Sequence, residues 1–194
     1  MHKDIVEIMK ITRANFKTCK IKIVTNGILL ETMPEDFFHS CRANNIHIEI
    51  TQYPISLNKL KIAELGKRYG VTIKNYALAN KKVYMRKMGL VLKPTQNKDT
   101  SFKNCQYAKY CHTIRDGKFF MCPPVAMITH FNKYFSKNLE VTPQDFVDIY
   151  RIKDINELQK YRKQAIPFCR YCNFDKNDKV IWTLSKKDIS EWSK

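Results

Sequence analysis

Glycine is scarce, at five residues in 194, and acidic side chains are outnumbered, with 18 Asp and Glu against 35 Lys and Arg. So little glycine, with only seven prolines, excludes a collagen-like chain or a Pro/Gly-rich disordered one. No run approaches the roughly 18 consecutive apolar residues of a membrane helix. Met1-His2-Lys3-Asp4 does not open a secretory signal. A cytoplasmic protein with no membrane partner is therefore expected. The seven cysteines are an odd number, which excludes complete pairing, and a reducing compartment disfavours a disulfide framework. Metal ligation is the better expectation for any cysteines that cluster.

What is present fits a packed globular chain. Hydrophobic residues make up 44% of it, enough for one sizeable domain or a medium one plus a small one. The formal charge of +17 is the strongest compositional feature and offers attraction to nucleic acid or an acidic partner. The charges run from Lys3 to Lys194 without a dense block, and lysine far outweighs arginine. That pattern describes a lysine-heavy surface, and nucleic acid is not the expected partner.

The first 80 residues alternate helical and extended patterns. Ile5, Ile8, Met9 and Ile11 recur at helical spacing. Ile21 to Thr25 is a β-branched run closed by Asn26-Gly27, a strand entering a tight loop. Thr32-Met33-Pro34-Glu35 has the capping-box pattern, predicting a helix to about Asn44. Ile46, Ile48 and Ile50 alternate with polar residues as a second strand. A helix from about Leu57 to Tyr69 should stop at Gly70, and Val71 to Tyr76 should form a third strand. Such alternation predicts an α/β layer of parallel strands covered by helices.

Residues 81–104 are polar and lysine-rich and read as a connecting segment. Residues 105–194 then hold five of the cysteines, with short helices (one capped by Asp154), a strand near Val180 to Leu184 and a last helical turn. Asp116-Gly117 is a strong hairpin signal, because both turn residues must tolerate positive φ. Counting outward pairs Arg115 with Lys118, Ile114 with Phe119 and finally Cys111 with Cys122, bringing two thiols to one face. Cys169-Arg-Tyr-Cys172 can turn two more sulfurs toward one centre. Four such ligands suit tetrahedral zinc or a 4Fe–4S cube. Cys105 is an alternative first ligand, while Cys19 and Cys41 read as small buried hydrophobes.

Cys-x5-Gly-x4-Cys, followed at a distance by Phe168-Cys-Arg-Tyr-Cys172, resembles the auxiliary-cluster region of radical SAM enzymes with a SPASM or twitch extension. Lys22-Ile-Val-Thr-Asn-Gly27 and Ile48-Glu-Ile-Thr-Gln-Tyr-Pro54 resemble the third and fourth barrel strands of that family. The resemblance implies a partial (β/α) barrel over residues 1–80, then a small cysteine-rich α+β metal-binding domain with a β-hairpin. It implies an auxiliary 4Fe–4S cluster on Cys111 or Cys105, with Cys122, Cys169 and Cys172, and places Asn26 and Glu49 near a cofactor. The family's Cys-x-x-x-Cys-x-x-Cys and Gly-Gly-Glu motifs are absent from the sequence. S-adenosylmethionine would thus bind only if an upstream polypeptide completed the barrel, and no independent catalysis is expected. The implied substrates are peptides or small metabolites. The alternative is a zinc-stabilised basic module that binds nucleic acid.

Overall fold

The computed structural model describes residues 2–75, 84–86, 89–173 and 179–193. The chain divides into two compact units, Met1–Tyr84 and Met85–Lys194. Tyr76, the end of the expected third strand, lies outside the described residues, as do positions 81–83, 87 and 88 of the connecting segment.

In the first unit, α1 (Ile5–Asn15), β1 (Ile21–Thr25), α2 (Glu35–Ala43), β2 (Ile46–Ile50), α3 (Lys59–Tyr69) and β3 (Ile73–Asn75) follow in order. The strands form one parallel sheet in the order β1-β2-β3, with Ile23 opposite Ile48 and Ile48 opposite Ile73. Ile46, Ile48 and Ile50 point to one face and share a core with Met9 of α1, Phe37 and Phe38 of α2, and Ile62 of α3. The alternate positions Lys22, Val24, His47, Glu49 and Lys74 are exposed or half-buried. Lys22 and Glu49 pair there at 2.7 Å. Helix α3 stops where expected, because Gly70 takes the left-handed conformation (φ +62°) as its C-cap and Val71 N–H closes onto the Gly66 carbonyl.

Two expectations fail here. Helix α2 begins at Pro34 with no side-chain cap, and the Thr32 hydroxyl donates instead to the Leu29 carbonyl. Residues 30–32 have already curled into a 3-10 turn, which removes Thr32 from the N-cap position. The partial barrel is also not formed. Among the described residues the sheets have three, two and three strands, and none closes.

The second unit begins within β4 (Tyr84–Arg86). Its further elements are α4 (Lys98–Asn104), α5 (Gln106–Tyr110), β5 (Thr113–Arg115), β6 (Lys118–Phe120), α6 (Pro123–Phe135), β7 (Phe146–Asp148), α7 (Ile155–Tyr161) and β8 (Lys179–Ile181). The hairpin β5–β6 turns on Asp116 (φ +50°) and Gly117 (φ +70°), and β7 adds a third antiparallel strand. Arg115 faces Lys118 and Ile114 faces Phe119. The Tyr150 ring lies over Gly117. Met121, Val125, Ile128, Leu139, Ile166 and Phe168 form the centre of a separate core.

Among the described residues, one acidic side chain sits inside that core. Asp145 is fully buried, and its carboxylate accepts Phe168 N–H at 2.7 Å, Thr142 N–H at 2.8 Å and the Thr142 hydroxyl at 2.9 Å. Its backbone carbonyl accepts the Tyr161 hydroxyl at 2.6 Å. Hydrogen bonds to a charged group contribute about 1.5–3 kcal/mol each, and their loss strands buried donors. Asp145→Ala should therefore cost about 3 kcal/mol or more in urea unfolding. Gly117→Ala, which puts a side chain on a left-handed residue, should cost about 1 kcal/mol. Losses of equal size would show that Asp145 is not the anchor its contacts describe.

Candidate functional site

The residues expected near a cofactor in the first unit are occupied locally. The Asn26 carboxamide oxygen accepts Ile28 N–H at 3.1 Å, making the turn after β1. Glu49 is held below its ordinary carboxylate pKa first by its hydrogen bond to Lys22 and also by the charges of Lys22, Lys20 and Lys74.

The cysteines of the second unit are placed by element ends. Cys105 joins α4 to α5 as N-cap, its Sγ accepting Ala108 N–H at 3.3 Å. Cys122 caps α6, where Pro123 starts the helix because its missing N–H needs no partner. Cys169 and Cys172 bracket a 3-10 turn closed by Cys172 N–H to the Cys169 carbonyl at 3.1 Å. The four thiols gather in one region: Cys105 opposes the ionisation of the other three, Cys169 and Cys122 add to this at Cys172, and Cys111 opposes that of Cys105. Burial is the leading cause of their raised pKa. It lifts Cys122 from the ordinary 9.0 to about 12, Cys169 to about 11 and Cys172 well upward.

Cys111 departs from its expected place. The hairpin ladder ends at Thr113 opposite Phe120, and Cys111 is the C-cap of α5. Helices on both sides of the hairpin take the chain out of extended pairing, so Cys111 never faces Cys122. His112 stacks on Phe119 at 5.4 Å and accepts Arg162 Nε–H at 3.3 Å. Cys41 is buried against Met9, as a small hydrophobe would be, whereas Cys19 is exposed.

Among the described residues, no group of three or more His, Cys, Asp or Glu side chains is placed to hold a metal ion. This overturns the expected 4Fe–4S cluster, its zinc alternative and the functions built on them. The physical reason is placement: Cys105, Cys122 and the Cys169–Cys172 turn end separate elements, whose packing does not converge the sulfurs as a ligand set.

A different feature occupies the other side of α6. Met127, His130, Phe131, Tyr134 and Phe135 recur at i, i+3, i+4, i+7 and i+8, a second stripe beside the core-facing Val125, Ala126 and Ile128. The stripe faces Ser185, Lys187 and Trp192 of the C-terminal segment across a cavity of about 370 Å³. Phe131 and Phe135 lie 4.9 Å apart, and Tyr134 meets Phe135 edge-on at 4.8 Å. The segment is shaped by Glu191, which accepts hydrogen bonds from the Ser185 hydroxyl and from Lys186 N–H.

No protein-family model matches the chain. A search of the curated proteins finds no match. The resemblance to radical SAM enzymes thus has neither a matching family, a metal-ligand group nor a closed barrel behind it, and S-adenosylmethionine goes with it. Among the described residues no helix is long and apolar enough to cross a membrane.

The cavity residues were not singled out from the sequence. The available signal was the apolar spacing of α6 continuing onto a second face, more than one core contact requires.

Two measurements check the thiol geometry. At neutral pH a thiol reagent should label Cys19 and Cys111 quickly and Cys122 and Cys172 only on unfolding, so fast modification of Cys122 would contradict the burial described. Because these pKa values are raised in the folded state, their contribution is fully present below 9.0. It is lost as pH climbs from there toward about 12. The urea midpoint should accordingly fall between about pH 8 and about pH 10, and a midpoint that rises would reverse the sign.

Proposed function

We propose that the second unit is a binding module for a small organic ligand, held in the cavity between α6 and the C-terminal segment. The observation that carries this is the lining. A space of about 370 Å³ is walled by four aromatic rings and Met127, with His130, Ser185 and Lys187 and the polar tips of Tyr134 and Trp192 as its polar groups among the described residues. Ligand sites are typically clefts of about 300–1,000 Å³ with mostly apolar walls and a few polar groups that set orientation. Solvated helix faces ordinarily carry charged or polar residues instead.

The thiol region supports no competing reaction. A thiol raised to about 12 is about one part in 10⁵ ionised at neutral pH, and nucleophilic or exchange chemistry proceeds through the thiolate. Cys122 therefore acts as a packing group at the start of α6. The proposed activity is binding.

A neutral fluorescent probe, phenylnaphthylamine, tests the proposal on the full chain. Saturable binding of one molecule per chain is expected, with a rise in its emission. Met127→Trp, which fills the cavity from its exposed wall, should weaken binding by at least about tenfold, the loss of roughly 1.4 kcal/mol of contact. Unchanged binding in that variant, with circular dichroism matching the parent chain, would place the probe elsewhere and sink the proposal.

A further inference from the structure

The ring geometry and the charges at the cavity point to a more specific ligand class, and the argument rests on the binding role proposed above. We infer that the cavity takes an aromatic ligand bearing an anionic group, a carboxylate or sulfonate, whose charge pairs with Lys187.

The walls select the body of such a ligand. Phe131 and Phe135 are tilted by 51° and Tyr134 stands at 81° to Phe135. An inserted planar ring can thus stack on one wall while meeting another edge-on, the two arrangements aromatic pairs prefer. A flexible aliphatic chain would fill the same volume without those contacts.

The charges select its end. Among the described residues the cationic or basic side chains lining the cavity are His130 and Lys187, and no carboxylate lines it. Among the described residues Lys187 makes no ion pair. The nearby carboxylate of Glu191 is engaged by the Ser185 hydroxyl and Lys186 N–H. Lys187 is also held in place through its backbone: its N–H donates to the Ser185 hydroxyl at 3.0 Å, and its φ is +60°.

One effect opposes an anion here. The C-terminal end of α6 borders the cavity, and a helix C-terminus carries roughly half a negative charge. Part of it is neutralised where Ser136 and Lys137 N–H groups both bond the Asn132 carbonyl. A full charge on Lys187 outweighs the remainder.

The test compares two dyes with the same ring system on the full chain. Anilinonaphthalene sulfonate carries the anion and phenylnaphthylamine lacks it. The salt is held near 0.15 M, where distant charges of this basic chain are screened beyond about 8 Å. The sulfonate should bind about tenfold more tightly than the neutral dye, Lys187→Gln should abolish that preference, and Met127→Trp should weaken both dyes. Equal affinities in the parent chain, or a preference that survives Lys187→Gln, would overturn the anion inference while leaving the cavity as a binding site. Failure of both dyes to bind, or sulfonate binding unaffected by Met127→Trp, would overturn both proposals.

Discussion

Asp145 has no exposed surface, and three donors from two separate segments converge on its carboxylate. Removing a carboxylate from water costs several kcal/mol, which only charge-assisted hydrogen bonds can offset. Here those bonds tie the turn before β7 to the turn that carries Cys169 and Cys172, and the Tyr161 hydroxyl adds α7 through the Asp145 carbonyl. The core of the second unit closes around this knot. Because Phe168 is fixed by its backbone N–H as well as by packing, the thiols beside it are fixed too, and fixed in an apolar setting. Among the described residues, that packing leaves the sulfurs unconverged as a ligand set.

Helix α6 links that core to the candidate site. One side of it, through Val125, Ala126 and Ile128, belongs to the core, while Phe131 packs partly against the core and also lines the cavity. A ligand in the cavity would consequently rest on a wall whose position the core sets. The C-terminal segment forms the facing wall through a few turn hydrogen bonds around Ser185 and Glu191. One wall is thus rigid and the other is held by short polar contacts.

The first unit follows simpler rules. Three strands with β-branched residues in alternation place Ile46, Ile48 and Ile50 beneath the helices, and the sheet's other side carries charged and polar residues. Parallel sheets are ordinarily covered on both faces. The Lys22–Glu49 pair is how this sheet tolerates water on the second one. The same pair accounts for Glu49, and the Asx turn at Asn26 accounts for the Thr-Asn-Gly loop. The Asn26 loop resembled a cofactor contact because a loop after a parallel strand needs the same turn chemistry whatever it binds.

Local signals sufficed for much of the chain by themselves. Period-two alternation located β1 and β2, Gly70 ended α3, and Asp116-Gly117 set the hairpin register as far as Ile114 and Phe119, because these depend on φ/ψ preferences and side-chain direction within a few residues. The ladder's end was not local: α5 and α6 take over at Cys111 and Cys122, so the expected pairing of those cysteines fails. Cysteine spacing was legible, but whether sulfurs meet as ligands depends on distance, orientation and burial, all set by packing around Asp145. The second apolar stripe of α6 was written in the sequence and its meaning was not, since a stripe becomes a cavity only when a distant segment stands opposite it. Sequence alone determined β1, β2, the stop of α3, the Asp116-Gly117 turn and the strong positive charge. Only the tertiary structure decided which side chains share a space, because desolvation and contact arise between residues that the chain brings together from far apart.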